Sequence, residues 1–112
     1  MANTFKNAMK SNVSNGSYDL LYTAPSGSGN AGIILGLALA NKTTSAVTVI
    51  VQITAAGTGA TIQLLENVSI PANTTLEVLG GQKYVLEAGD LLKVQAGTGT
   101  AIDAFLGVME RT

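Results

Sequence analysis

The sequence contains no cysteine, no histidine and no tryptophan. Without cysteine there is no disulfide framework, no thiol nucleophile and no cysteine-type zinc site. Without histidine, general acid-base and nucleophilic chemistry would have to rely mainly on carboxylates. The seven carboxylates are spread along the chain, and the one close pair, Glu87 and Asp90, flanks a glycine turn. We therefore expect no catalytic site, no bound metal and no cofactor.

Charge is also scarce, because only 12% of the residues are charged and the formal net charge is -1. Proteins that bind nucleic acid display a basic stripe, often with stacking aromatic residues, and neither occurs here. The longest apolar run, residues 31–40, is far shorter than the roughly 20 residues of a membrane helix. The first residues carry no apolar signal segment. We expect a protein made in the cytoplasm that binds neither nucleic acid nor membrane.

An ordinary soluble domain is about 25% charged, so a surface with this little charge is poorly protected against association. This favours a protein that assembles with partners. The chain of 112 residues has the length of one domain. Its residues are 46% hydrophobic but only 4% aromatic, so Val, Leu, Ile and Ala must fill the core. The β-branched members of this group favour strands.

Alternating apolar residues predict strands along most of the chain. In residues 47–54, for example, Val47, Val49, Val51 and Ile53 share one face of a strand. Further strands are expected at residues 18–24, 31–40, 61–65 with a continuation at 67–70, 75–79, 84–86, 92–96 and 102–109. Glycine- and asparagine-rich turns separate them. The pattern predicts an all-β fold, a single antiparallel β-sandwich or jelly-roll-like domain of seven to nine short strands.

The polar residues 1–17 are expected to form an N-terminal arm or an edge strand, and residues 18–112 the sandwich itself. Within the predicted strands, Ile50, Phe105 and Met109 fall on faces that point away from the core. They could form an exposed apolar patch that a partner covers, or they could pack against the N-terminal segment of the same chain.

Several strand and turn motifs resemble a group of small structural proteins of tailed-bacteriophage virions. In the first half these are Tyr22-Thr23-Ala24-Pro25, the run ending in Leu37-Ala38-Leu39-Ala40-Asn41, and Val47-Thr48-Val49. In the second half they are Val68-Ser69-Ile70-Pro71-Ala72, Leu76-Glu77-Val78, Gly80-Gly81-Gln82-Lys83, and Val85-Leu86-Glu87-Ala88-Gly89-Asp90 followed by Leu92-Lys93-Val94. The resemblance covers about residues 18 to 110 and carries over no catalytic residue.

This resemblance implies a capsid decoration (cement) protein of the virion, a homotrimer that binds the major capsid protein or other virion proteins and is assembled in the host cytoplasm. The alternative is a neck, tail or fibre component. A carbohydrate-binding module is a third possibility, because Tyr18 and Tyr22 are predicted on one face of one strand. For the structural role, we expect the subunit or shell contacts to include Phe5, Ile34, Ile50, Phe105 and Met109.

Overall fold

The computed structural model describes residues 2–112, within which the chain forms nine β-strands and no helix. The strands are β1 (Asn3–Lys10), β2 (Asp19–Thr23), β3 (Ala31–Asn41), β4 (Val47–Thr54), β5 (Thr61–Ile70), β6 (Thr75–Glu77), β7 (Tyr84–Glu87), β8 (Leu91–Ala96) and β9 (Ile102–Arg111). They form two antiparallel sheets around one core. The predicted antiparallel β-sandwich of seven to nine strands is confirmed.

The strand order follows from one long hairpin. The first sheet has the order β1, β9, β3 and β6, with β7 also paired to β3, and the second sheet has the order β2, β8, β4 and β5. Strands that lie symmetrically about the loop between β4 and β5 pair with each other: β4 with β5, β3 with β6 and β7, β2 with β8, and β1 with β9. The hairpin is rolled so that the pairs alternate between the two sheets, which is the arrangement of a jelly roll.

The core is aliphatic and is filled by alternate residues of the long strands. Along β9 every second residue is buried, namely Ile102, Ala104, Leu106 and Val108. The valines of β4 approach them from the second sheet. Fully burying one such side chain stabilises the fold by about 1.5–3 kcal/mol, so packing of this kind can hold a chain that has no disulfide.

A polar contact joins the two sheets on the side where β1 and β2 are the edge strands. The hydroxyl of Tyr22, on β2, donates a hydrogen bond of 2.6 Å to Glu110 on β9, and both side chains are buried. The ammonium of Lys6 on β1 lies 2.9 Å from the other carboxylate oxygen of Glu110. The hydrogen bond from Tyr22 and that from Lys6 hold the pKa of Glu110 below its usual value. Burial and this carboxylate raise the pKa of the Tyr22 hydroxyl.

Space for the tyrosine ring depends on a glycine in β3. A Cβ atom at Gly32 would lie 2.6 Å from the Tyr22 hydroxyl oxygen and 2.9 Å from a ring carbon, closer than real Cβ contacts come. The absence of a side chain at Gly32 therefore lets the ring cross between the sheets.

At the other end of β3, the buried amide of Asn41 organises two loops. Its nitrogen donates to the carbonyl oxygens of Ser45 at 2.9 Å and Ile70 at 3.0 Å. Its oxygen accepts from the backbone N–H of Thr43 at 2.9 Å and from the Thr43 hydroxyl at 2.7 Å. Both ends of the amide are thus satisfied, as a buried polar group requires.

Candidate interaction surface

The outer face of the first sheet carries two rows of apolar side chains that run across neighbouring strands. Register places Phe5 of β1 beside Met109 of β9, Met109 beside Ile33 of β3, and Ile33 beside Val85 of β7. A second row crosses the same face, in which Met9 of β1 lies beside Phe105 of β9 and Phe105 beside Ala38 of β3. We call this surface the apolar face, and its members are Phe5, Met9, Ile33, Leu35, Ala38, Val85, Phe105 and Met109.

Four of these side chains are strongly exposed, whereas Ile33, Ala38 and Met109 are half-buried. The exposed fractions are 74% for Phe5, 68% for Met9, 63% for Val85 and 48% for Phe105. Single exposed apolar residues are normal on a protein surface, but two contiguous rows of them make this face a candidate interaction surface.

The alternation of β9 explains why these residues point outward. Because successive side chains of a strand point to opposite faces, burying Leu106 and Val108 places Phe105 and Met109 on the outside. β1 pairs with β9 without a register shift, so Phe5 and Met9 take the same face. In β3 a bulge between Ile34 and Gly36 places Leu35 on this face as well, 38% exposed.

Two glycines leave a trough between the apolar rows. Gly107 of β9 lies beside Gly36 of β3, and nothing lies within 4 Å of where their Cβ atoms would be. Leu35 and Phe105 flank this trough, which forms a depression of about 270 Å³. A second depression of about 380 Å³ lies at the other side of Phe105 against Met9 and Ala40. The face therefore has ridges and hollows into which partner side chains can insert.

Among residues 2–112, charged groups on this side of the sandwich stand at the rim of the apolar face, and Glu77 of the edge strand β6 is one of them, beside Ala38. At one end Asp103 forms an ion pair of 3.0 Å with Lys42 and accepts a hydrogen bond of 3.1 Å from the backbone N–H of Asn12. Burial alone would raise the pKa of Asp103, but these two partners hold it below its usual value. Glu87 lies at the opposite end, beside Ala31. An apolar centre with a polar rim is the usual anatomy of a protein interface.

The outer face of the second sheet is polar by contrast. Gln52 donates a hydrogen bond of 2.8 Å to Gln63 across β4 and β5, and the hydroxyls of Thr54 and Thr61 lie 3.0 Å apart. Lys93 and Gln95 of β8 share this face, since Leu92, Val94 and Ala96 are buried. The two outer faces of the sandwich therefore differ: that of the second sheet is mainly polar, and that of the first sheet carries the apolar rows.

Apolar side chains do occur on the polar side, and Leu20 and Ile50 are two of them. Leu20 is 56% exposed and lies beside Lys93. Ile50 is half-buried and lies beside Gln95. Each has a polar residue as its cross-strand neighbour, so neither is part of a contiguous apolar patch.

The structure divides the five contact residues expected from the sequence among three places. Phe5, Phe105 and Met109 meet on the apolar face, Ile50 lies on the opposite, polar side, and Ile34 is 2% exposed in the core. The expectation that Ile34 contacts a partner needs correction, because its side chain fills the chain's own core.

The five other members of the apolar face were not among the predicted contact residues, namely Met9, Ile33, Leu35, Ala38 and Val85. The spacing of Phe5 and Met9, both odd-numbered in one extended segment, would have indicated that Met9 shares the face of Phe5.

The tyrosine pair considered for carbohydrate binding does not form an exposed platform. Tyr22 is buried and its hydroxyl is bonded to Glu110, whereas Tyr18 precedes β2 and is 38% exposed. A sugar ring needs an accessible aromatic face for stacking, and only one of these two tyrosines offers one.

Within residues 2–112, no three metal-ligating side chains come together, and no helix is long and apolar enough to cross a membrane. No protein-family model matches this chain, and no curated protein matches it either.

Proposed function

We propose that this chain is a structural subunit of a tailed-phage virion that decorates the head shell and docks on it through the apolar face. The observation that carries the proposal is the contrast between the two outer faces of one sandwich: contiguous apolar rows on one side and polar side chains on the other. Contact with shell proteins would remove the apolar rows from water, which is the main favourable term in protein association.

The jelly-roll topology supports the same role, because viral capsid proteins are among the proteins built on it. Fold alone does not assign function, so the topology adds to the apolar face and does not replace it. The motifs in residues 18–110 resemble those of small phage virion proteins, and this resemblance is the reason why we propose a phage virion. The chain has no catalytic step in this role; its task is to bind and to stabilise.

The proposed interface can be tested with head shells that lack this chain and purified protein added back. The variant carries Phe105→Asp and Met109→Asp, which place two charges in the middle of the apolar face. Both side chains point away from the core, so the fold is expected to survive, which circular dichroism will check. Two unpaired charges at the centre of an interface are expected to weaken shell binding by at least about 100-fold.

The matched control carries Gln52→Asp and Gln95→Asp on the polar side. It adds the same charge to the same sandwich, so any loss of binding from general repulsion would occur here too. We expect the control to bind shells like the unaltered protein. Equal binding of the apolar-face variant and the unaltered protein would contradict the proposal.

A further inference from the structure

The free edge of β1 offers unpaired backbone groups. Ala2 and Thr112 exchange two hydrogen bonds, of 2.8 Å and 3.0 Å, so they form a hydrogen-bonded pair of the antiparallel ladder between β1 and β9. In such a ladder the pairs alternate, so the next hydrogen-bonded residues of β1 are the even-numbered ones. The N–H and C=O groups of Asn3, Phe5, Asn7 and Met9 therefore point away from β9, toward the outside of the sheet.

The other three edges of the sandwich are protected against pairing. The edge strand β5 has register shifts against β4, and Asn67 within it has a positive φ of 52°. The edge strand β2 has five residues and a register shift between Leu20 and Tyr22. The fourth edge is divided between β6 and β7, of three and four residues. Bulges and short edge strands are the devices by which proteins prevent sheets from joining edge to edge.

β1 has neither a bulge nor a short length. It is eight residues long, it pairs with β9 without a register shift, and it contains no proline. Its outward-facing odd positions carry no charge, and two of them are the exposed Phe5 and Met9. Inward-facing lysines are charges of the kind that protect edges, and β1 has two of them. The ammonium of Lys6 is paired with Glu110 of the same chain, and Lys10 is the last residue of the strand. A long, regular edge of this composition is a site for pairing with another strand.

We propose that β1 pairs antiparallel with β1 of a second copy of this chain, about a two-fold axis at Asn7. Asn7 then faces Asn7 of the second copy, and Phe5 faces Met9 of the second copy. All of these positions have outward-pointing backbone groups, so each pair can exchange two hydrogen bonds. The strand is self-complementary in this register, because the two apolar residues lie at equal distances on either side of Asn7.

This pairing also joins the apolar faces of the two copies. Opposite residues of an antiparallel pair share a face, so the row of Val85, Ile33, Met109 and Phe5 continues into Met9 and Phe105 of the second copy. The product is one continuous sheet with an apolar band across both subunits. The pairing rests on the edge of β1 alone and holds whether or not the apolar face binds a head shell.

Two-fold pairing uses the β1 edge of both copies, so no third copy can join in the same way. It therefore predicts a dimer, in contrast to the trimer that the family resemblance implies. Sedimentation equilibrium of the purified protein should give twice the 11.4 kDa of one chain. The variant Asn7→Pro removes an N–H that makes no bond to β9, so the strand can remain in its own sheet. Because two-fold symmetry applies the change twice, we expect the dissociation constant to rise by about 100-fold or more.

The variant Asn7→Ala is the matched control, because it removes the same side chain and keeps the N–H. It should change the dissociation constant by less than about tenfold. A monomeric or trimeric unaltered protein would overturn the proposal, and so would an Asn7→Pro variant that folds and still dimerises like Asn7→Ala.

A cross-linking experiment tests the register even if the proline variant does not fold. The chain has no cysteine of its own. Opposite residues of a hydrogen-bonded pair have Cα atoms about 5.5 Å apart, which suits a disulfide, so oxidised Asn7→Cys should become a covalent dimer. Asn3→Cys lies on the same free edge but far from the axis and should stay uncross-linked. Equal cross-linking of both variants would contradict the proposed register.

Discussion

Replacing Tyr22 by Phe tests the buried contact that joins the two sheets. The change keeps the ring next to Gly32 and removes only the hydroxyl, which donates a hydrogen bond of 2.6 Å to Glu110. A hydrogen bond to a charged group contributes about 1.5–3 kcal/mol, and here both partners are buried. We expect the free energy of unfolding to fall by about 2 kcal/mol at pH 7, and Tm by about 10 °C.

The loss should depend on pH in a definite direction. The pKa of Glu110 is lowered in the folded state, first by the Tyr22 hydroxyl and then by Lys6. A carboxylate of this kind stabilises the fold above its unfolded pKa of about 4.3, and this contribution is lost as the pH falls through the folded pKa. The difference in free energy of unfolding between the unaltered protein and Tyr22→Phe should therefore have its full value at pH 7 and become smaller in acid.

Urea unfolding followed by circular dichroism between pH 7 and pH 2.5 measures this difference directly. Tyr18→Phe is the matched control, since Tyr18 is exposed and should change stability by less than about 0.5 kcal/mol. The reasoning would be refuted by a Tyr22→Phe loss no larger than that of the control, or by a loss that grows as the pH falls.

Four further substitutions test the packing of the sandwich by thermal and urea unfolding. Gly32→Ala places a Cβ against Tyr22 and should lower the free energy of unfolding by about 1–3 kcal/mol. Gly107→Ala has open space around its Cβ and should lower it by less than half as much. Asn41→Ala removes the donor to the buried carbonyl of Ile70 and to the part-buried carbonyl of Ser45, and should lower the free energy of unfolding by about 3 kcal/mol. Leu106→Ala opens a cavity in the core and should cost about 2–5 kcal/mol. A Gly32→Ala protein as stable as Gly107→Ala would contradict the close approach at Tyr22.

Strands with mixed composition could be predicted from the sequence because polar and apolar residues alternate in them. In β4 the valines mark the buried face, and in β9 Leu106 and Val108 mark it. The same alternation placed Phe105 and Met109 on the outside. Local signals of this kind depend only on neighbouring residues, so no knowledge of the pairing was needed.

The faces of β3 could not be predicted, because nearly every residue of this strand is apolar. Before the bulge the even-numbered residues of β3 are buried, such as Ile34, and after it the odd-numbered ones are buried, such as Leu37. A bulge depends on the pairing with β9 and leaves no mark in an apolar run. For this reason Ile34 was expected at a contact, and its neighbours Ile33 and Leu35 were missed.

The apolar face itself is a product of long-range pairing. Met9 and Phe105 come from opposite ends of the chain and become neighbours only because β1 pairs with β9. Val85 joins them through β7 and β3. Sequence spacing could place each residue on a face of its own strand, but the order of strands in the sheet decides that these faces form one surface.

Imaging of assembled virions at a resolution that traces this chain is the most direct test of the central claim. We predict copies spread over the head shell, each with Phe5, Phe105 and Met109 packed against a neighbouring protein. Copies confined to the neck, tail or fibres would contradict the head-shell assignment and favour a component of those parts. Copies whose apolar face is turned to solvent would contradict the claim that this face is the interface.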